Sequence, residues 1–554
     1  MTTTQTGGRL RRLWLGLLAA AMTCTVQAKA DSRLQAQQYM EILGQIMTIL
    51  EGHYVDSIDW AKAMDAGINA MLYELDPYTE FYSEEDQESW RTMTTGEYGG
   101  IGAVIQQHGD TVVIANPYVG MPAAAAGLRP GDQILRIDGV DMTGKTTADV
   151  SEKLRGEPGT TFVLTYRRPY TAEGPQELTI ERRKVTTPAV PYHALLNDTT
   201  AYIQLDQFTD RAAQELQDAL RALRQSAAAA RPGQSLTGLV IDLRGNPGGL
   251  LEEAVKILGM FVDKGSIVVE TKAKLMQWNA TYRTAVQPIE PDLRIVVLQN
   301  RGSASAAEIV SGALQDMDRA VVMGERSFGK GLVQSSRTLP YNTVVKFTSA
   351  KYYIPSGRCI QAIDYTHRNE DGSVGRIPDS LTHVFHTAAG RPVRDGGGIM
   401  PDLDLAPQVM SNVLFMAVSR NVVFDYATRY RQEHDTIPAP ADFHLTDAEY
   451  ADFCRQLRAN VTDSVTRRFQ VFDLDGDLDS LRSEVACGIE QAICLRYYHQ
   501  RGQTEKMLSG DSLVHRAAAL LADPQRYAAL LSPPAAQEQK RTPGAKGKAG
   551  QKAK

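Results

Sequence analysis

The sequence has few of the features that fix a protein's class at a glance. Five cysteines in 554 residues are too few for a disulfide scaffold, and no CxxC pair offers thiolates at zinc-finger spacing. Cys487 and Cys494 stand seven apart in an expected helix, about 10 Å along its axis, too far to bond to each other. The ten histidines form no HExxH, and neither a GxSxG elbow nor a GxxxxGK[ST] loop occurs. Zinc peptidases, α/β-hydrolases and P-loop nucleotide enzymes therefore find no support. Positive charge is not in excess: 59 basic against 65 acidic residues leave a net charge of −6, which argues against a nucleic-acid role. No run reaches 18 apolar residues, the length a membrane-spanning helix needs. What is there is ordinary globular composition, 43% hydrophobic and 22% charged, in a chain long enough for roughly three or four domains.

The two ends differ from the rest. Arg9, Arg11 and Arg12 precede an apolar stretch over 13–22, and Val26-Gln27-Ala28 and Ala28-Lys29-Ala30 end in the small residues a signal peptidase needs. Residues 1–30 are expected to be a signal peptide, and the mature chain to be exported, soluble and periplasmic or associated with the cell envelope. A lipid anchor on Cys24 fits less well, because Thr23 is larger than the residue that usually precedes a lipidated cysteine. At the other end, 535–554 reads as a disordered basic tail; from 539 onward it carries six Lys/Arg and no acid.

Between the ends the texture changes three times. Apolar residues recur at helical spacing over 31–95 (Leu34, Met40, Ile46, Leu50, Ile68, Leu72), which predicts a helical region broken at Leu75-Asp76-Pro77-Tyr78-Thr79. Over 96–185, glycines and short β-branched runs predict strands and turns with a short helix at 150–155. Over 190–406, strands at 238–243, 295–298 and 320–323 alternate with helices at 250–260 and 306–315, the mark of a layered α/β core. Helical periodicity returns over 410–530. The fold class expected is thus multidomain α+β: a layered α/β core, an inserted β-rich module and flanking helical regions.

The glycine-rich module resembles a PDZ domain. Gly99-Gly100-Ile101-Gly102-Ala103-Val104 is followed about 25 residues later by Ala126-Gly127-Leu128-Arg129-Pro130-Gly131-Asp132, with Ile134 to Gly139 continuing. Glycines let successive backbone N–H groups converge into an anion-binding nest. Gly100, Ile101 and Gly102 would hold a peptide C-terminal carboxylate while the peptide adds a strand beside them.

Three further motifs carry chemistry. Asp242-Leu243-Arg244-Gly245-Asn246-Pro247-Gly248-Gly249 joins a strand to a helix, where backbone N–H groups can stabilise an oxyanion; the same glycines could equally serve a tight turn. Asn300-Arg301-Gly302-Ser303-Ala304-Ser305-Ala306-Ala307-Glu308 also enters a helix. Its Ser305 and Glu308 form an S-x-x-E cap, and a serine there also sits where the helix dipole favours developing negative charge. Gly324-Glu325-Arg326-Ser327-Phe328-Gly329-Lys330-Gly331 holds Lys330 between glycines, with Gln334 four residues on, sharing a strand face if the strand runs through both. A lysine acting as base must be neutral, so its pKa would have to fall by roughly three units from about 10.4.

In this order the motifs resemble those of the C-terminal processing peptidases, the tail-specific serine–lysine endopeptidases with an inserted PDZ domain. The similarity runs from about 53 to 405 and includes Tyr353-Ile354-Pro355-Ser356-Gly357-Arg358. The resemblance implies a crotonase-like core. It also implies Ser305 as nucleophile, since the family's serine lies 25 residues before its lysine, which selects Ser305 over Ser303. Lys330 would be the base and Gln334 its support. Oxyanion donors would be the N–H of Ala306 and of Gly248 or Gly249, with the choice between the glycines open. The family's aspartate after the nucleophilic helix maps to Asp316, as support or as a structural residue. Ala307 stands where the family commonly has Ser or Thr, and no catalytic group is lost by that. No metal or cofactor is implied. The expected partners are proteins or peptides with accessible C-termini, with an adaptor and self-association as further expectations. The competing readings are a non-catalytic PDZ-bearing scaffold or chaperone on the same fold, which intact Ser305, Lys330 and Gln334 disfavour, and another hydrolase or ligand-binding protein on the same core, which the PDZ module disfavours. Finally, Asp473-Leu474-Asp475-Gly476-Asp477-Leu478-Asp479 with Glu484 lacks the sixth-position glycine of a calcium loop and reads as an acidic turn.

Overall fold

A computed structural model describes residues 34–84, 86, 92, 95–231, 233, 235–368, 374–406 and 409–533. The expected signal peptide with Cys24, and the expected basic tail, lie outside the described residues. The chain divides into two units at Pro77. The first carries helices at 34–53 and Trp60–Tyr73, the latter opened by Asp59, whose carboxylate accepts the N–H of Lys62 at 3.0 Å. The helical region was expected to reach residue 95. Instead Glu80–Tyr82, in the second unit, is a strand.

In the second unit, the glycine-rich module forms a sheet of order Ala103–His108, Thr111–Pro117, Gln133–Ile137, Thr161–Arg167 and Gln176–Glu181, with helices Pro122–Ala125 and Thr147–Leu154. Alternation builds it: Phe162, Leu164 and Tyr166 face a core with Ile114, Ile134 and Val150, while their neighbours face out. Glu97–Gly100 pairs with Arg183–Thr186 and closes the module at its base. Ala103–His108 pairs only with Thr111–Pro117 among the described residues, so its other edge carries no strand.

The α/β core is a six-stranded sheet. In chain order its strands are β1 (Tyr192–Asn197), β2 (Thr200–Gln204) and β3 (Gly238–Asp242), then β6 (Arg294–Gln299), β7 (Ala320–Gly324) and β10 (Leu403–Asp404), adjacent in that order. All neighbours are parallel except β1 and β2. Parallel strands buried on both faces must be apolar throughout, as Val296-Val297-Leu298 and Ala320-Val321-Val322-Met323 are. One set of alternate residues (Ile203, Leu239, Ile241, Ile295, Val297, Val322) packs on α1 (Ala212–Ala230), α2 (Leu251–Leu258) and α3 (Ala306–Asp316). The other set (Tyr202, Val240, Val296, Leu298, Val321) packs on Val514, Ala517, Leu520 and Leu521 near the C-terminus. A second sheet joins β4 (Ile267–Ala273), β5 (Ala280–Arg283), β8 (Leu332–Thr338) and β9 (Val344–Tyr353), with Glu80–Tyr82 against β9.

The region expected at 410–530 divides in two. Helices α4 (Asn412–Ser419), α5 (Val422–Glu433), α6 (Asp447–Asn460) and α7 (Arg482–Ser509) share a core around Tyr426, Phe453 and Ile489. Helix α8 (Ser512–Leu521) instead covers the second face of the core sheet. Asp473, in the acidic stretch, caps helix Leu474–Ser480 by accepting the N–H of Gly476 at 3.0 Å. Among the described residues no cluster of His, Cys, Asp and Glu is placed to hold a metal ion, and no helix is long and apolar enough to cross a membrane.

Candidate active site

Two turns at the carboxyl ends of β3 and β6 lie side by side. In the first, buried Asp242 grips Arg244 through Nε at 2.9 Å and accepts the hydroxyl of Tyr202 at 2.8 Å. Arg244 also meets Asp511 at 2.8 Å, so it stays charged between two carboxylates despite its partial burial. Asn246 is fully buried: its Nδ2 donates to the carbonyl of Leu205 at 2.7 Å, and its Oδ1 accepts the N–H of Gly248 at 2.8 Å. Gly248 and Gly249 have φ of +99° and +142°, which L side chains rarely adopt. A Cβ on Gly248 would lie 2.7 Å from the Cβ of Ser305 and 2.9 Å from the nitrogen of Ala306, so only glycine permits the two turns to meet.

In the second turn, the structure separates the two serines. Ser303 is completely buried, donates its hydroxyl to the carbonyl of Leu243 at 2.7 Å and accepts the N–H of Asn300 at 2.9 Å. Ser305 is half-buried and caps α3 with φ 55° and ψ −116°. That conformation costs a non-glycine residue roughly 1–3 kcal/mol and persists only where its surroundings impose it. Ala306 begins the helix, so its N–H has no intrahelical acceptor. All of α3 is buried, which keeps its dipole poorly screened.

Glu308 joins this turn to the lysine loop. It is fully buried. Its Oε2 accepts the N–H of Ser305 at 2.9 Å and of Lys330 at 2.8 Å; its Oε1 accepts the hydroxyl of Ser327 at 2.5 Å and the N–H of Gly329 at 2.7 Å. Sharing one oxygen holds the amide nitrogens of Ser305 and Lys330 under about 6 Å apart. Burial pushes the Glu308 carboxyl up to about 7, against the pull of these donors toward the ionised form. The buried Tyr352 hydroxyl adds a second tie, lying between the carbonyl oxygens of Ser305, at 3.2 Å, and Lys330. Lys330 Nζ sits 4.0 Å from the centre of the Tyr78 ring, which meets Tyr365 edge to face.

Other expected site residues lie as follows. Gln334 Nε2 reaches Thr348 Oγ1 at 3.4 Å. The simple alternation that would put residues 330 and 334 on one face does not hold, because β8 begins only at Leu332 and its pairing with β9 shifts between Val333 and Gln334. Asp316 ends α3, about 16 Å along the helix from Ser305, and its carboxylate pairs with buried Arg358 at 2.8 Å. Gly100, Ile101 and Gly102 lead into the open-edged strand Ala103–His108, and the carbonyls of Ile101 and Gly102 accept the N–H groups of Ala123 and Tyr118. Sequence reasoning missed Glu308 as a hub, Tyr352 and Tyr78. The S-x-x-E spacing showed only a cap, since the other partners of Glu308 lie 19 to 22 residues downstream.

Comparison with known proteins adds three matches along the chain. The family model described as "Peptidase family S41" matches residues 199–367, one described as "PDZ domain" matches 113–168, and one described as "Probable PDZ-protease, C-terminal helical domain" matches 413–473. The "Carboxy-terminal-processing protease" of Bartonella bacilliformis is 34% identical over 350 residues, covering 63% of this chain and 78% of that protein. A "Probable CtpA-like serine protease" of Staphylococcus aureus is 34% identical over 326 residues, 58% of this chain and 63% of that protein, which is less than two thirds of its length. Among solved structures, the photosystem II D1 C-terminal processing protease is 28% identical over a match covering 66% of this chain and 87% of that one, with a TM-score of 0.36.

Proposed function

Since the chain belongs to the carboxy-terminal-processing serine proteases of peptidase family S41 and carries a PDZ domain, we propose that it is an exported endopeptidase that takes hold of protein C-terminal tails and cuts with Ser305 and Lys330. Neutral Lys330 removes the Ser305 proton as Oγ attacks the peptide carbonyl carbon. The N–H of Ala306, backed by the dipole of α3, receives the oxyanion. Gly249 is the better second donor, because the N–H of Gly248 is already donated to Asn246. Protonated Lys330 returns the proton to the leaving amine, and water then hydrolyses the acyl-enzyme. Every acid, base and donor in this scheme is a group of the chain.

The observation that carries the reading is the pair of ties from Glu308 and Tyr352, which hold the backbones of Ser305 and Lys330 to common atoms. Serine 303, by contrast, has its hydroxyl fully engaged in the turn. Ser305→Ala and Lys330→Ala should each abolish cleavage of a loosely folded protein, and the double variant should lose little more, because groups acting as a unit are not additive. Activity that survives Ser305→Ala but not Ser303→Ala, in proteins of unchanged circular dichroism, contradicts the assignment. Export, self-association and an adaptor belong to the same proposal. Cell fractionation and the mass of the purified protein, alone and after capture of partners, test them.

A further inference from the structure

The helical domain stands against the PDZ domain beside the edge a tail would join. His108, at the end of the open-edged strand, meets Asp425 of α5 at 2.8 Å, and Phe424 packs beside the same imidazole. From that contact a cavity of about 1050 Å³ extends between the PDZ sheet and helices α4, α5 and α7. That is at the upper end of the ~300–1,000 Å³ of ordinary ligand pockets, so it holds several side chains. Val104 and Gln106 of the edge strand line it; Ile105 between them packs on the PDZ core. Asn116, paired opposite Val104 and so on the same face, lines it too. Asn116 is 6% exposed and its Oδ1 has no hydrogen-bond partner, a costly state for a buried amide. Across the cavity, Val418 and Met507 are apolar but 44% and 36% exposed, as Val104 is at 40%.

We propose that this cavity is a second specificity pocket for the substrate tail, built jointly by the PDZ and helical domains. The inference rests on tail capture at the strand Ala103–His108. A tail added there alternates its side chains. One set faces the Ile105 side and helix Thr147–Leu154. The other set follows Val104 and Gln106 into the cavity, where apolar side chains cover Val418 and Met507 and a polar hydrogen of the tail reaches Asn116. The helical domain thereby reads tail positions that a PDZ domain standing alone would leave in water, and the occupant is an apolar, uncharged C-terminal segment.

The test uses full-length Ser305→Ala protein, which cannot cut, and a fluorescent apolar ten-residue peptide with a free C-terminus. Lysine is placed in turn at each of the last five positions, and affinity is read by anisotropy. Lysine should weaken binding about tenfold or more on both alternating sets. Adding Val418→Glu and Met507→Glu, both at exposed positions, should restore binding of lysine peptides to within about threefold on one set only. If one alternating set tolerates lysine in the unaltered cavity, those residues face water and the inference fails while tail capture stands. If no peptide binds, or amidated and free peptides bind alike, tail capture fails and takes the inference with it. A concentration-dependent dimer that the glutamate changes dissolve would assign the cavity to a second copy and overturn the proposal.

Discussion

Glu308 is the residue on which the site's geometry turns. All four of its partners are donors. A glutamine there must aim its NH2 at two of them whichever way it flips, leaving buried N–H or O–H groups unsatisfied at roughly 1–3 kcal/mol each. Glu308→Gln should therefore lower kcat by tenfold or more with KM little changed, while Glu308→Asp, too short to span the four donors, rescues little. The same side chain predicts a stability trend. Its folded pKa, about 7, lies above the ordinary 4.5, so the folded state holds the proton more tightly. The contribution of the protonated acid is complete below about pH 4.5 and lost as pH rises through about 7. The Tm advantage of the unaltered protein over Glu308→Gln should accordingly shrink from pH 5 to pH 8. A constant difference would show that Glu308 keeps an ordinary pKa. None of this was legible in the sequence beyond the cap, because a carboxylate's distant partners leave no local pattern. Ser305 and Lys330 were singled out by the spacing the family resemblance implies, and the turn at Gly248 and Gly249 by its paired glycines, with the choice between the two left open.

At the scale of elements, short continuous apolar runs set between helical segments foretold the core strands at 238–243, 295–298 and 320–323, whose Val, Ile and Leu serve both faces of the sheet. Three features were not foretold. Glu80–Tyr82 is too short to signal a strand, the register shift at Gln334 depends on its partner β9, and nothing in the apolar stripe of α8 says which surface it will cover. The PDZ strand and its glycine loop make a separate prediction. If the loop at Gly100, Ile101 and Gly102 receives a carboxylate, amidating a substrate's C-terminus should slow cleavage several-fold at low substrate concentration, with less effect at saturation. Deleting 96–185 then separates the roles: slower cleavage marks a tether, and faster, less selective cleavage an inhibitor. A rate indifferent to both changes removes the PDZ domain from substrate selection.

At the scale of the molecule, helix α8 is tied back to the candidate oxyanion turn. Asp511 caps α8 by accepting the N–H groups of Leu513 and Val514 at 2.9 and 3.1 Å, and also holds Arg244, three residues before Pro247. Asp511→Ala removes a cap and one of the two carboxylates of the half-buried Arg244. It should cost about 2 kcal/mol or more in urea unfolding and lower kcat together with stability. A loss of stability with kcat unchanged would mean that α8 supports the sheet without setting the turn. The proposed mechanism makes the Oγ of Ser305 the attacking atom. Its most direct test is to quench the protein in acid during turnover of a slowly deacylated peptide ester and map the acylated residue by mass spectrometry. An acyl group is expected on Ser305, and none in Lys330→Ala. Acylation of Ser303, or cleavage by a protein lacking the Ser305 hydroxyl, would contradict it.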